Sequence, residues 1–197
     1  AVALVQDSVT IRSMITVPPV CRRQSIRLQD YDYTNSGAYF VTIVTHQRRC
    51  ILGKISDTTF EPSRHGQIVA DELDITPLMR PEFAFDVWLI MPNHVHAIIV
   101  VDAELQLRRS PKANSGRTDA RACAGPRSGS LGAMIAGFKA TVTKGANIIG
   151  IHPGHPLWQR NYYEHIIRDE KDLEAIRTYI EENPFNWASD SENSERQ

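Results

Sequence analysis

Cysteine is scarce in this chain. Cys21, Cys50 and Cys123 are the three among 197 residues, far apart and without a CxxC pair. An odd, scattered set excludes a disulfide framework and a cysteine metal site, and it suits a reducing cytoplasm, the expected location. Long apolar runs are also missing. Nothing approaches the roughly 18 residues of a membrane span, so no membrane partner is expected. The opening AVALVQDSVTIRSMITVPPV is interrupted by Gln6, Asp7 and Arg12 and lacks the basic start of a signal peptide. Net charge is nearly absent at −1, but the balance is uneven along the chain. From Arg108 to Lys144 the basic residues Arg108, Arg109, Lys112, Arg117, Arg121, Arg127, Lys139 and Lys144 face Asp119 alone, and Arg22, Arg23 and Arg27 form a second cluster. Basic segments on a neutral body fit a polyanionic partner or a solvated loop.

What is present is ordinary for a globular protein: 42% hydrophobic and 23% charged residues, in a length that suits one domain. Residues 1–20 read as a poorly structured leader ending at Pro18-Pro19, 21–187 as the domain, and 188–197 as a polar tail. AYFVTIVTHQ, from Ala38, is β-branched and aromatic and predicts a strand. RHGQIVADELDITPLM predicts a helix with Ile68, Val69, Leu73 and Ile75 inward and Pro77 limiting its end. EFAFDVWLI alternates Phe83, Phe85, Val87 and Leu89, and HVHAIIVV follows the tight MPN connection, so the two predict an antiparallel hairpin. Residues 102–130 show no hydrophobic period and read as a flexible insertion. LGAMIAGFKATVTKGAN predicts a helix with Met134, Ile135, Phe138 and Val142 on one side. LWQRNYYEHIIR predicts a short extended segment, and DEKDLEAIRTYIEENP a helix stopped by Pro184. Helices interleaved with a central antiparallel hairpin predict an α+β sandwich with helices packed on one face of the sheet.

One stretch is out of keeping with its surroundings. In IMPNHVHAIIVV, His94 and His96 stand at the mouth of an otherwise apolar strand. Alternation along the strand puts both imidazoles on one face and Val95 on the other, so the pair could share a metal ion or serve as structural histidines. A metal needs a further ligand. On the last helix Leu173, Ile176 and Ile180 define the inward stripe, and Tyr179 and Asn183, one turn apart, lie on its flank. Asn183 could hold a metal near the Tyr179 phenol, or simply end the helix before Pro184. A metal-dependent hydrolase is a weaker reading because acidic ligands are missing; Asp86 on the preceding strand is the nearest candidate.

PNHVHAI followed by WQRNYYEHIIRDEKDLEAIRTYIEENP resembles the HUH-type single-tyrosine transposases, and among them the REP-associated tyrosine transposases. HUH stands for histidine, bulky hydrophobe, histidine, which His94-Val95-His96 satisfies, and the YIxxNP ending matches at Tyr179 to Pro184. The resemblance covers roughly residues 22 to 187 apart from the insertion. It implies a ferredoxin-like sandwich with the histidines on a central strand. It also implies a divalent ion, Mg2+ or Mn2+, held by His94, His96 and Asn183, with Tyr179 as nucleophile. The implied partner is single-stranded DNA with hairpin-forming repeats, and the family leaves both a homodimer and a monomer open. From ligand type alone, Zn2+ also suits such a site.

The chemistry fits those residue types. Neutral imidazoles and an amide leave an ion most of its charge for a phosphate, where carboxylates would quench it. A tyrosine joined to a 5′-phosphate keeps the bond energy for a later 3′-OH, so strand transfer is expected rather than hydrolysis. Candidate phosphate contacts are Arg22, Arg23, Arg48, Arg49, Lys139 and Lys144. Trp158, Tyr162 and Tyr163 either stack on unpaired bases or fill the core. The alternative function is a catalytically silent, domesticated protein that binds repeat DNA.

Overall fold

The computed structural model describes residues 35–56, 59–109, 126, 128–151, 154–190 and 192–193. The leader, Arg22, Arg23 and most of the expected insertion lie outside them. In chain order the elements are β1 (Gly37–Val44), β2 (Gly53–Ser56), β3 (Thr59–Pro62), α1 (Arg64–Met79), β4 (Phe83–Ile90), β5 (His94–Val101), α2 (Ala103–Arg109), α3 (Leu131–Ile148), β6 (Tyr163–Ile167) and α4 (Glu170–Asn186). The main sheet runs β4-β5-β1-β6 with every neighbouring pair antiparallel. Setting aside the small β2–β3 hairpin and α2, the order β-α-β-β-α-β on this sheet is the ferredoxin-like α+β sandwich. The β-branched runs of β1 and β5 are the two inner strands, nearly all buried, as strands covered on both faces should be.

The two faces have different cores. On one, Tyr39, Val41 and Ile43 of β1 and Val95, Ala97 and Ile99 of β5 pack with Val69 and Leu73 of α1 and with Met134, Ile135, Phe138 and Val142 of α3. On the other, Phe40 and Ile98 pack with Ile180 of α4, flanked by Leu173 and Ile176. Thus α1 and α3 cover one face, and α4 crosses the face that carries His94 and His96.

β4 serves both cores because it does not alternate strictly. Phe85 pairs with Ile99 and Val87 with Ile98, leaving Asp86 as an extra, bulged residue. Phe83, Phe85, Trp88 and Ile90 therefore face the α1/α3 core, while Val87 and Leu89 face α4. The expected single stripe of Phe83, Phe85, Val87 and Leu89 is split in two by that one residue.

Neither proline ends its helix. α1 continues past Pro77 to Met79, closed by the Arg80 N–H on the Thr76 carbonyl, and α4 continues past Pro184 to Asn186. Each proline forfeits one intrahelical donor, and its fixed φ lies within the helical range. Beyond Pro184, the buried Trp187 keeps the chain docked. Ile75, expected inward, is 47% exposed, and Thr76 is buried in its place. Side chains cap the helices: Ser63 Oγ accepts from His65 N at 3.1 Å and Gly66 N at 3.2 Å, and Asp169 Oδ1 accepts from Asp172 N at 2.8 Å. Gly66 is required there, because a Cβ would collide with the Leu52 carbonyl. The start of the expected insertion, Ala103–Arg109, is helical despite its lack of hydrophobic period, begun by the Asp102 carboxylate accepting from Glu104 N at 2.9 Å.

Candidate active site

His94 and His96 open β5, an inner strand, and their rings meet: Nε2 of one is 2.9 Å from Nε2 of the other. Both are buried. Each ring is held from behind at Nδ1, His94 by Asn93 Oδ1 at 2.7 Å and His96 by Thr42 Oγ1 at 2.9 Å. Thr42 is there because β1 pairs it directly opposite His96. Burial pushes His94 down to about 4, with Asp190 opposing and Arg48 reinforcing; burial and the neighbouring His94 hold His96 well below its ordinary value. Near pH 7 both rings are therefore neutral, the state in which imidazole binds metals.

α4 lays Tyr179 over the pair. Its ring centroid is 5.4 Å from that of His96 and 5.9 Å from that of Phe40, and the residue is 48% exposed. Burial, then the negative charge of Asp190, raises the phenol above its usual range, and a hydrogen bond with Asn183 opposes the shift. Asn183 itself is buried, and its Oδ1 has no hydrogen-bond partner among the described residues. Burying an unpaired carbonyl oxygen is costly. The two imidazole nitrogens meet on the face that α4 covers, and the unpaired Asn183 oxygen is a further polar group on that helix. Arg177 fixes α4 over the site by a bidentate pair with Asp86, Nε to Oδ2 at 2.8 Å and Nη2 to Oδ1 at 2.7 Å, and also bonds Glu174. Asp86 is thus engaged at the bulge, away from the histidines.

The acidic group beside the histidines is one that the sequence reading missed. Asp190, with His94 and His96, offers ligand atoms that all lie within 4.8 Å of one another, a set that suits a divalent ion. It comes from the segment read as a polar tail, which folds back: Trp187 packs 6.0 Å from the His94 ring, Asn93 Nδ2 donates to Glu192 O at 2.6 Å, and Arg48 pairs with Glu192 at 3.3 Å. The available signal was Trp187 itself, a large aromatic just past the helix in an otherwise polar stretch.

The remaining candidates separate by face. Tyr163 pairs with Thr42 and so shares the histidine face, half exposed. Trp158 is buried in the α1/α3 core, and Tyr162 packs against that core. Lys139 donates to Gln159 O at 2.9 Å and Asn161 O at 2.8 Å, lacing α3 to the chain before β6, and burial pushes its ammonium down to about 8. Lys144 lines an open groove beside Trp158 on the α3 side. Arg49 donates to Pro156 O at 3.3 Å, and Arg48 sits on the histidine side of the same turn. The structure thus brings together His94, His96, Tyr179, Asn183, Arg48 and Tyr163; Lys139, Lys144, Trp158 and Tyr162 belong to the opposite side of the sheet.

No protein-family model matches the chain. An uncharacterized protein of Haemophilus influenzae (strain Rd) is 35% identical over 180 residues, 85% of this chain and 91% of its own. The two belong to one family. A solved REP-associated tyrosine transposase bound to a REP hairpin aligns with 82% of this chain and 74% of its own, at a TM-score of 0.54 and 18% identity. The chain shares the fold of that transposase, with His94-Val95-His96 on an inner strand. No helix among the described residues is long and apolar enough to cross a membrane.

Proposed function

We propose that this chain is a transposase that cleaves and rejoins single-stranded DNA beside hairpin-forming repeats. Tyr179 is the nucleophile, and a divalent ion, Mg2+ or Mn2+, is held by His94, His96 and Asn183, with Asp190 within reach. The observation that carries the reading is the half-exposed Tyr179 phenol ring beside two buried, neutral imidazoles whose Nε2 atoms converge. When bound, the ion would neutralise charge on phosphate oxygens. Tyr179 Oη attacks phosphorus and the bond to the 3′ oxygen breaks, leaving a 5′-phosphotyrosine. The proton given up by the phenol is matched by the one the departing 3′ oxygen takes up. The reverse attack by another 3′-OH restores a phosphodiester. Arg48 and Tyr163, on the same face, are the contacts we assign to the incoming strand, phosphate and base respectively.

A second reading, a repeat-DNA-binding protein without cleavage, is favoured by one feature. Asp190 and Glu192 bring negative charge beside Tyr179, where, after burial, they help to raise its phenol above the usual range and would oppose an incoming phosphate. The test is incubation with single-stranded repeat hairpins and Mg2+, Mn2+ or Zn2+, resolved on a denaturing gel beside Tyr179→Phe and His94→Ala. A covalent adduct that needs the metal and both residues supports the transposase. Tight binding without adduct or cut, with every metal and hairpin, leaves the binding protein.

A further inference from the structure

We propose that Asn93 is a positioning residue that holds His94 in one tautomer, with the proton on Nδ1 and the Nε2 lone pair bare toward His96. The proposal deepens the reading of His94 as a ligand and rests on it for its functional meaning, though not for its geometry. Asn93 is fully buried in the turn between β4 and β5. Its side-chain nitrogen lies 3.1 Å from Arg48 O and 2.6 Å from Glu192 O, both backbone carbonyls that can only accept. The amide is therefore oriented without ambiguity: Nδ2 faces the two carbonyls and Oδ1 faces His94 Nδ1 at 2.7 Å. An amide oxygen carries no proton, so the hydrogen in that contact belongs to the imidazole. A neutral ring has one N–H, which leaves Nε2 bare. The other tautomer would set two lone pairs against each other in a dry interior.

The two carbonyls that orient Asn93 come from distant parts of the chain. Arg48 O is supplied by a turn in which Gln47 and Arg48 both take positive φ, 58° and 54°, without being glycine. Such strain persists where the surroundings impose it, and here Thr45 N donates to Asn93 O at 2.8 Å while Arg48 N closes on Thr45 O at 3.0 Å. Glu192 O comes from the segment after α4, which Trp187 anchors over His94. Two backbone segments thus set the position of one proton. It follows that in the metal-free protein the His96 Nε2–H donates to His94, and the Thr42 hydroxyl donates to His96 Nδ1.

The test is long-range proton–nitrogen correlation NMR on wild-type protein with 15N-labelled histidine, treated with chelator at pH 7; His94→Gln identifies the resonances by their loss. His94 should show a protonated Nδ1 and a bare Nε2. In Asn93→Ala the preference should be lost and Mn2+ binding should weaken tenfold or more. Asn93→Asp, which keeps the acceptor but loses both donors, should restore the Nδ1–H tautomer in a protein of lower thermal stability. A wild-type His94 protonated at Nε2 overturns the proposal, whatever the variants do. So does Asn93→Ala retaining the full Nδ1–H preference. If Asn93→Ala does not fold, the wild-type spectrum decides. Loss of DNA cleavage leaves the tautomer result untouched, so the two readings fail separately.

Discussion

Thr42→Val removes a single hydroxyl from the site and keeps the branched shape that β1 favours. In wild type the hydroxyl meets His96 Nδ1 at 2.9 Å, and His96 is 2% exposed, so water cannot take its place. Leaving that nitrogen buried and unpaired costs about 1–3 kcal/mol of stability in the metal-free protein. The effect on metal binding has a different origin. For Nε2 of His96 to become a ligand, the ring proton must sit on Nδ1, and Thr42 must turn from donor to acceptor. A hydroxyl does both; a methyl does neither. Mn2+ binding should fall about tenfold to a hundredfold, roughly 1.4–2.8 kcal/mol. Thr42→Ser should stay within about threefold of wild type, since it keeps the group that matters. The assay is titration with Mn2+, the free ion followed by electron paramagnetic resonance, beside urea unfolding of each metal-free variant. Wild-type Mn2+ affinity in Thr42→Val, or equal losses in the serine and valine variants, would refute the reasoning.

Ile180→Ala should destabilise the fold by about 2–4 kcal/mol in urea unfolding, since Ile180 is the buried residue by which α4 joins Phe40 and Ile98; a change under about 1 kcal/mol would mean α4 is held mainly by its ion pairs. Gln47→Gly should stabilise by up to about 1 kcal/mol, because the exposed Gln47 sits at φ 58°; a lower melting temperature would show that the side chain supports the turn. Lys139 gives a pH dependence. Its folded value of about 8 lies below the ordinary 10.5, so the unfolded chain binds more protons between them. Stability of wild type relative to Lys139→Met should therefore rise with pH from 8 to 10.5, and a flat difference would refute the shift. Tyr179→Phe should abolish the covalent adduct while leaving the melting temperature within about 2 °C, since the residue is half exposed.

The fold was legible wherever one face of an element alone was apolar. Met134, Ile135, Phe138 and Val142 repeat at helical spacing and are all buried, and the Phe83–Val101 hairpin follows from two β-rich runs joined by a tight turn. What periodicity hides is any feature made by a single residue or by distant backbone. The Asp86 bulge changes which side chains face which core without changing composition. The prolines at 77 and 184 read as stops, yet each costs one donor, and downstream burial of Trp187 outweighs that at the second. In the candidate site, His94, His96, Tyr179 and Asn183 carried a motif and could be picked out. Thr42 and Asp190 could not, and Asn93, though inside PNHVHAI, gave no sign of its contacts. Asn93 acts through carbonyls 45 and 99 residues away, Thr42 through its cross-strand register, and Asp190 through a chain reversal after a helix that the sequence ended too soon.

The bulge has a consequence for how copies of this chain meet. Among the described residues β4 is an outer strand, and an outer strand is a template on which another molecule can add its own. With Asp86 out of step between Phe85 and Val87, the outward row of amides and carbonyls is interrupted in mid-strand, and the Asp86–Arg177 pair sets charge beside the interruption. A second sheet annealing along β4 would have to carry a matching irregularity or flatten this one, and flattening would turn Val87 and Leu89 away from α4. The residue that lets one strand line two cores also guards that edge against aggregation.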